Sequence, residues 1–406
     1  MFAVLALAIL VWGALSKMRE QPFTRRPVTH TPVTPSPYVR RSLARLGEHD
    51  PDFSLVLFDD FLVLLYTEIK MAQGSGSLAR YSPYLSEATR ASLGSTPAIR
   101  NVLVGVVAIE SVNLSSSHVR VTIGFESNYD VGPRSVYVRE LWTLVRKRDA
   151  RSRTPDKARV LGCPSCGAPL DVVVAGVCGH CKSQVTSGDF DWAVEKIAVQ
   201  GTQERGPMLT SNVVEQGTNT PTIIAEGVAV RLAAITTWES IESRTRTIFT
   251  EFQAAWAARD LARMRPYMSN ALFAAQTFWV EEYKRQGLRN LTDDAQITRL
   301  ELCEVVTDAH YDAVTVRLHA SSLDYTVTDT TGEVVSGSRS VPRRYTEYWT
   351  IIRGRGASST AKVCPRCGAE LDIGMGGHCG YCKTKVTSAV FEWVLSRIEQ
   401  DEVYRG

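Results

Sequence analysis

The alternation of apolar and polar positions predicts helices followed by strands in the first part of the chain. Apolar residues recur at helical spacing from Asp52 to Ala72, and a second helical pattern follows from Leu78 to Leu93. Alternating or apolar runs then predict antiparallel strands at residues 102–109, 118–125 and 136–145. Helices followed by a strand meander are typical of an α+β domain in which helices cover one face of a sheet.

The same order of elements returns in the second part of the chain. Helical patterns at residues 241–258 and 260–287 are followed by predicted strands at 297–306, 313–321, 325–329 and 345–352. Short stretches are also alike: residues 79–86 are similar to 262–269, and residues 139–146 to 346–353. We therefore predict that the whole unit is duplicated.

Eight of the nine cysteines form two identical patterns. The first comprises Cys163, Cys166, Cys178 and Cys181; the second comprises Cys364, Cys367, Cys379 and Cys382. Each pattern is two Cys-x-x-Cys pairs separated by 11 residues, which is typical of a zinc ribbon with four thiolate ligands. Disulfide bonds are the alternative. Because a closed four-sulfur site has no position for water, we predict two structural zinc ions and no catalytic metal.

The residues around the two ribbons add three smaller predictions. A short amphipathic helix is predicted after each ribbon; in the first copy it covers Asp189 to Val199. His180 and His378 lie beside the cysteines, but neither recurs in the other pattern, and we expect neither to bind metal. Cys303 stands alone in an alternating apolar run and is predicted to be a buried thiol.

The N-terminal segment predicts a membrane anchor. Residues 2–15 carry no charge, and basic residues follow them, from Lys17 to Arg26. Since positive flanks stay cytosolic, the pattern predicts a single-pass anchor at residues 1–16 with all later domains in the cytoplasm. A cleaved signal peptide is the alternative, although a basic segment before the apolar run is lacking. Reducing conditions, which thiolate zinc sites favour, agree with cytoplasmic domains.

Composition adds limits and boundaries. The chain has 406 residues, a net charge of +3 and 44% hydrophobic residues, so charge alone indicates no partner. We predict an anchor at 1–16, a basic Pro-rich linker at 17–47, a first domain at 48–148, a first ribbon with its helix at 160–200, a linker at 201–221, a second domain at 222–355 and a second ribbon with its helix at 361–402. The basic linker either contacts anionic lipid or is a solvated tether.

Particular motifs carry a resemblance to a known family. They are the Pro-Tyr-(Leu/Met)-Ser turn after a helix (83–86 and 266–269), the helix ending at 284–290 and the Glu-Tyr-Trp-Thr strand at 347–350. These resemble the domain of the mitochondrial translocase-of-inner-membrane subunit 44, and the bacterial relatives of that domain in particular. The resemblance covers residues 236–355 well and residues 48–148 more weakly.

The resemblance implies a fold and a role. It implies two tandem cone-shaped domains, similar to nuclear transport factor 2, each with an apolar pocket inside a curved antiparallel sheet. Aromatic residues on the predicted strands are the pocket candidates: Phe125, Tyr129, Trp142, Tyr325, Tyr348 and Trp349. The family tethers an import chaperone to a membrane translocase. The expected role is therefore that of a non-catalytic adaptor that binds a protein or lipid at the cytosolic face of the inner (plasma) membrane. This role would be linked to protein transport.

Two other functions remain alternatives. An enzyme could use Glu140 or Glu347, which are carboxylates at matching positions on apolar strands, for acid/base chemistry. Nucleic acid could bind the ribbons, but few basic residues surround the cysteines, so we do not expect it.

Overall fold

The structure of the chain is a computed structural model. It describes residues 39–93, 98–155, 161–174, 176–185, 188–204, 220–355 and 392–401, together with residues 206, 369, 379–381, 389, 404 and 406. The predicted anchor at residues 1–16 and three cysteines of the second pattern (Cys364, Cys367 and Cys382) lie outside these residues. Within the described ranges, no helix combines the length and apolarity that crossing a membrane requires.

The N-terminal half (residues 39–204) begins with helices and ends with strands. The helices are α1 (Val39–Ala44), α2 (Leu55–Ser75) and α3 (Glu87–Leu93). The strands are β1 (Ile99–Leu114), β2 (His118–Val131), β3 (Arg134–Lys147), β4 (Val173–Val174), β5 (Val177–Cys178) and β6 (Ala193–Glu204). Four of the strands form an antiparallel sheet in the order β1-β2-β3-β6, while β4 and β5 pair as a small hairpin.

The C-terminal half (residues 220–401) follows the same order. Its helices are α4 (Val228–Ala233), α5 (Trp238–Ala258), α6 (Leu261–Met264) and α7 (Asn270–Arg285). Its strands are β7 (Leu288–Thr307), β8 (Tyr311–Thr328), β9 (Val334–Gly337), β10 (Arg343–Gly354) and β11 (Val394–Gln400). The sheet order is β7-β8-β10-β11, and β9 extends the sheet beside β8. Mixed α+β architecture with antiparallel sheets is thus confirmed.

The prediction of a helix after each ribbon was wrong. Residues 193–204 form strand β6, which pairs with β3 and places Ile197 opposite Trp142. Residues 394–400 likewise form β11, which pairs with β10. The spacing of the apolar residues 190, 192 and 194 is compatible with the two-residue period of a strand as well as with a helix. The strand forms because the backbone groups along the free edge of β3 can hydrogen-bond to it. Each cysteine pattern is therefore inserted in the chain immediately before the last strand of a sheet.

Helix boundaries follow from local chemistry. The hydroxyl of Ser54 accepts the Leu57 N–H (3.2 Å) at the start of α2, and that of Thr237 accepts the Ser240 N–H (3.3 Å) at the start of α5. Both helices are 21 residues long. The helix predicted at residues 260–287 is divided near Pro266, since proline disrupts a helix interior.

Helix and sheet pack through aromatic rings in each half. The ring of Tyr66 on α2 lies 4.9 Å from that of Trp142 on β3. The ring of Phe249 on α5 lies 5.7 Å from that of Trp349 on β10. Both tryptophans are fully buried, so each helix covers one face of its sheet.

The two halves belong to one compact unit. Leu57 on α2 packs in a buried cluster with Tyr311, Ile352 and Val394 of the C-terminal half. Beside this cluster, the carboxylate of Asp59 lies 2.7 Å from the Arg40 guanidinium and 3.4 Å from that of Arg397 on β11. Asp59 on α2 therefore forms ion pairs with α1 and with the sheet of the C-terminal half.

Asp59→Asn is expected to lower the free energy of unfolding by about 1–2 kcal/mol near neutral pH, because the two arginines lose their anionic partner. Burial raises the pKa of Asp59, but Arg40 and Arg397 outweigh burial and hold this pKa below its usual value. A lowered pKa in the folded state means that the contribution is complete above the unfolded pKa and is lost as pH falls below it. Denaturant unfolding should therefore show the variant and the wild type converging below about pH 4.

Glu242→Gln is the matched control, because Glu242 forms an exposed pair with Arg246 along α5. We expect this control to change stability by less than about 0.5 kcal/mol. A difference between wild type and Asp59→Asn that stayed constant with pH would contradict the role given to Asp59.

Candidate metal centre and cavity

Four cysteines of the first ribbon converge on one point. The sulfur atoms of Cys163, Cys166, Cys178 and Cys181 all lie within 4.8 Å of one another. The Sγ atoms of Cys163 and Cys181 are 3.9 Å apart, as are those of Cys166 and Cys178. A tetrahedral zinc ion with Zn–S bonds of about 2.3 Å requires sulfurs about 3.8 Å apart. A disulfide bond would need about 2.05 Å, so the geometry fits a metal and not a bridge.

Two turns with the same hydrogen bonds present these sulfurs. In the first turn the Gly167 N–H donates to the Cys163 carbonyl (2.7 Å), and in the second the Lys182 N–H donates to the Cys178 carbonyl (2.8 Å). The residue after each second cysteine has a positive φ, 81° at Gly167 and 59° at Lys182. Glycine adopts this conformation without strain, which explains its place in the motif.

Burial and nearby hydrogen-bond donors shift the pKa values of the cysteine thiols in different directions. Burial raises the pKa of Cys163 to about 12, although the N–H groups of Cys166 and Ser165 point at its sulfur and oppose this effect. The hydroxyl and N–H of Ser183 lower the pKa of the half-buried Cys181 to about 6. N–H groups aimed at sulfur stabilise thiolates, which are the form that binds metal. The donor set therefore fits zinc.

The remaining cysteines lie elsewhere. Of the second pattern, only Cys379 belongs to the described residues, and it is buried. One cluster is thus seen in the part of the chain that the structure describes. Cys303 is buried as expected, and its thiol donates to the Glu301 carbonyl (3.3 Å). His180 is exposed beside the first cluster, and His378 lies outside the described residues.

A cavity of about 730 Å³ lies between the two halves. Its walls come from α5, α7, β10 and β11 of the C-terminal half and from α2 and β1 of the N-terminal half. Much of the lining is apolar or aromatic, including Val63, Val104, Phe252, Trp256 and Trp279. Its volume is in the range of small-molecule sites, about 300–1,000 Å³.

The pocket candidates of the N-terminal half lie on the inner side of its sheet. Phe125 and Trp142 are buried with Tyr66, whose ring stacks 4.5 Å from that of Phe125. Tyr129 is half-buried, and its ring lies 5.4 Å from the Lys70 ammonium. These rings fill the interior of the N-terminal half and do not line the cavity.

The candidates of the C-terminal half are divided between two faces of its sheet. Trp349 is buried against α5, whereas Tyr348, its neighbour on β10, faces the other side and stacks 3.8 Å from Tyr404. Tyr325 is buried and its hydroxyl donates to Asp293 (2.6 Å). None of these three side chains lines the cavity either. The periodicity of the sequence does not predict that α7 and β1 line a cavity.

The two matched carboxylates have different surroundings. Glu140 is buried, its Oε1 lies 2.6 Å from the Lys70 ammonium, and its Oε2 accepts the Trp142 indole N–H (3.1 Å). Glu347 is half-buried and lines the cavity. Its Oε2 accepts the Trp349 indole N–H (2.8 Å), and its Oε1 accepts the Gln400 amide (3.0 Å). Glu140 is thus paired with a buried lysine, and Glu347 is part of the cavity lining.

Comparisons with known proteins give a family match within the C-terminal half and a structural match over most of the chain. No curated protein matches the chain. A solved structure described as an "Ntf2 like protein involved in plasmid conjugation" matches with 8% identity, covering 81% of this chain and 88% of that chain, with a TM-score of 0.19. The family model of the Tim44-like domain matches residues 239–361, which contain α5, α6, α7 and strands β7 to β10. The resemblance is therefore confirmed for this part of the chain, whereas for residues 48–148 it stays a prediction.

Proposed function

We propose that the chain is a non-catalytic scaffold at the cytosolic face of the inner (plasma) membrane, where it binds a protein partner linked to translocation. The observation that carries this proposal is the match of residues 239–361 to the Tim44-like domain. The four-cysteine cluster adds support, since a closed four-sulfur site stabilises a fold and offers no position for a substrate.

Membrane attachment is inferred from the sequence. Residues 1–16 supply a single-pass anchor, and the basic linker at residues 17–47 adds attraction to anionic headgroups. The folded halves then remain in the cytoplasm, where reducing conditions keep the ribbon thiols able to bind metal.

We infer further that the halves arose by duplication and hold one structural zinc ion each. The common strand order, the equal length of α2 and α5 and their matching hydroxyl caps support this inference. The identical spacing of Cys364, Cys367, Cys379 and Cys382 supports the second zinc site. If both halves bind one partner assembly, linkage raises their apparent affinity without new contacts.

The other two functions have less support. The described lining of the cavity contains carboxylates, Glu347 among them, but no histidine, lysine or cysteine that could share acid/base work with them. For nucleic acid, Lys182 is the one basic residue other than His180 between residues 161 and 185, which is too little charge to follow a phosphate backbone.

Fractionation and crosslinking in the native cell test the proposal. The full chain is expected in the membrane pellet after a high-salt wash, and deletion of residues 1–16 should move it to the soluble fraction. A photo-crosslinking residue at exposed positions of the Tim44-like domain, such as Lys284, should capture a membrane-embedded protein. The matched control places the crosslinker at Arg134, which is exposed on the N-terminal half.

Two results would count against this role. Recovery of the intact chain in the soluble fraction would refute the anchor. Crosslinks from Lys284 to soluble proteins alone would refute the link to a membrane assembly.

A further inference from the structure

The edges of two sheets border the cavity between the halves. Residues 102–107 of β1 and residues 396–400 of β11 all line it. Because successive side chains of a strand alternate between its two faces, lining by consecutive residues means that the edge of the strand, and not one face, borders the cavity. Both strands are edge strands, β1 of the N-terminal sheet and β11 of the C-terminal sheet.

Backbone groups along these two edges lack a protein partner in the part of the chain that the structure describes. β1 pairs with β2 and β11 pairs with β10, and residues 102–107 and 396–399 form no backbone hydrogen bond beyond these two ladders. The Ser269 N–H donates to the Leu395 carbonyl (2.8 Å), one residue before the free part of β11 begins. Unpaired N–H and C=O groups along an edge are a template for a further strand.

The walls beside the edges are apolar. Val63 on α2 and the rings of Phe278 and Trp279 on α7 line the cavity, and all three side chains are half-buried. Several charged side chains of the lining are engaged in ion pairs, so recognition falls to backbone and apolar groups. The pairs are Asp59–Arg397, Glu399–Arg397 and Asp324–Arg343.

We propose that this cavity binds an extended peptide segment of a partner protein, about six residues long, as an additional strand between β1 and β11. Its backbone hydrogen-bonds to both edges, and alternate side chains contact the apolar walls. Six residues of strand span about 20 Å, which matches the free part of β1. This binding mode names the form in which the proposed scaffold holds a partner chain, and it therefore rests on the proposed function.

N-methylated peptides test whether the backbone is recognised. The probe is a fluorescein-labelled peptide with the sequence Lys-Val-Thr-Val-Thr-Val-Lys. Successive N–H groups of a strand point to opposite sides, so one set of alternate amides faces β1 and the other faces β11. Two N-methylated versions each remove one set of donors and keep every side chain. Fluorescence anisotropy with the purified full chain should show both versions binding at least about tenfold more weakly than the parent peptide.

Hydrogen exchange of the wild type locates the bound peptide. The amides of residues 102–107 and 396–399 should exchange more slowly when the parent peptide is present, because an added strand hydrogen-bonds to both edges. Protection of both segments distinguishes a strand between the sheets from a peptide that pairs with one of them.

Two glycine substitutions in the same sheet provide a blocking variant and its control. Gly105→Trp should weaken the parent peptide at least about tenfold, since Gly105 lines the cavity and its new side chain fills part of it. A Cβ atom at Gly105 meets only the Glu126 carbonyl oxygen, at 3.5 Å, which is an ordinary contact. Gly201→Trp is the matched control on β6, the opposite edge of the sheet, where a Cβ atom meets nothing within 4 Å. Its affinity should stay within about twofold.

Several outcomes would overturn the proposal. It fails if the parent peptide does not bind, if fewer than both N-methylated versions lose affinity, or if either edge stays unprotected. A wild-type dimer that Gly105→Trp converts to a monomer would mean that a second copy occupies the cavity, and binding of dodecanol in place of the peptide would mean an acyl-chain site; either result refutes a partner strand. Should circular dichroism show that Gly105→Trp is unfolded, the N-methylated peptides and hydrogen exchange decide, because they use the wild type. All these measurements use purified protein, so a negative result leaves the outcome expected of membrane fractionation and crosslinking unchanged.

Discussion

Cys163→Ser is expected to release one metal ion from the protein and to unfold the first ribbon. Cys163 is fully buried, and its sulfur receives backbone N–H groups from within its own turn. A serine hydroxyl is shorter and is not a thiolate, so it cannot complete the four-sulfur site. Structural zinc contributes about 10–16 kcal/mol in small metal domains, and a ribbon of this size buries too little apolar surface to fold without it.

Metal analysis of purified protein checks this expectation. The wild type should contain two ions, and Cys163→Ser and Cys364→Ser should each contain one. Cys303→Ser is the control: Cys303 is equally buried but lies outside both patterns, so the metal content should stay at two. Unchanged metal in Cys163→Ser would show that the cluster is not a metal site.

Glu140→Leu is expected to lower the free energy of unfolding by about 3–5 kcal/mol, because it leaves the buried Lys70 ammonium without its partner. The Trp142 indole N–H loses its acceptor in the same step. The double variant Lys70→Met/Glu140→Leu should recover most of this loss, since two apolar side chains replace a pair whose burial is itself costly. Denaturant unfolding of the two single variants and the double variant measures the coupling between the two residues.

An exposed pair supplies the control for this cycle. Arg120 and Glu195 lie 3.0 Å apart, but both side chains are more than a third exposed. Removing either charge there should cost about 0–1 kcal/mol, because water screens it. If Glu140→Leu cost no more than Glu195→Gln, the Lys70–Glu140 pair would not hold the N-terminal half together.

Local patterns in the sequence were sufficient for much of the fold. Helical spacing located α2 and α5, and alternation located the strands that precede each ribbon, because these signals depend on which face of an element is buried. The Cys-x-x-Cys spacing predicted the cluster, since two short turns fix where the sulfurs point. Strands β6 and β11 were missed because their short apolar runs fit two periods. Only pairing with β3 and β10 decides between these periods.

The cavity could not be predicted in this way. The sequence predicts aromatic residues on strands as pocket residues, but neighbours such as Tyr348 and Trp349 point to opposite faces of their sheet. The actual lining combines α2, β1 and α7, which are distant in sequence and meet only when the halves pack.

The insertion of each ribbon before the last strand of a sheet determines how the chain can be divided. A fragment that ended at Lys147 would lack β6 and leave the backbone groups of β3 exposed along one side. Such an unprotected margin readily recruits a strand from another molecule. Metal loss that displaced β6 would have the same effect, so oxidation or chelation of the ribbon is expected to promote self-association of the protein.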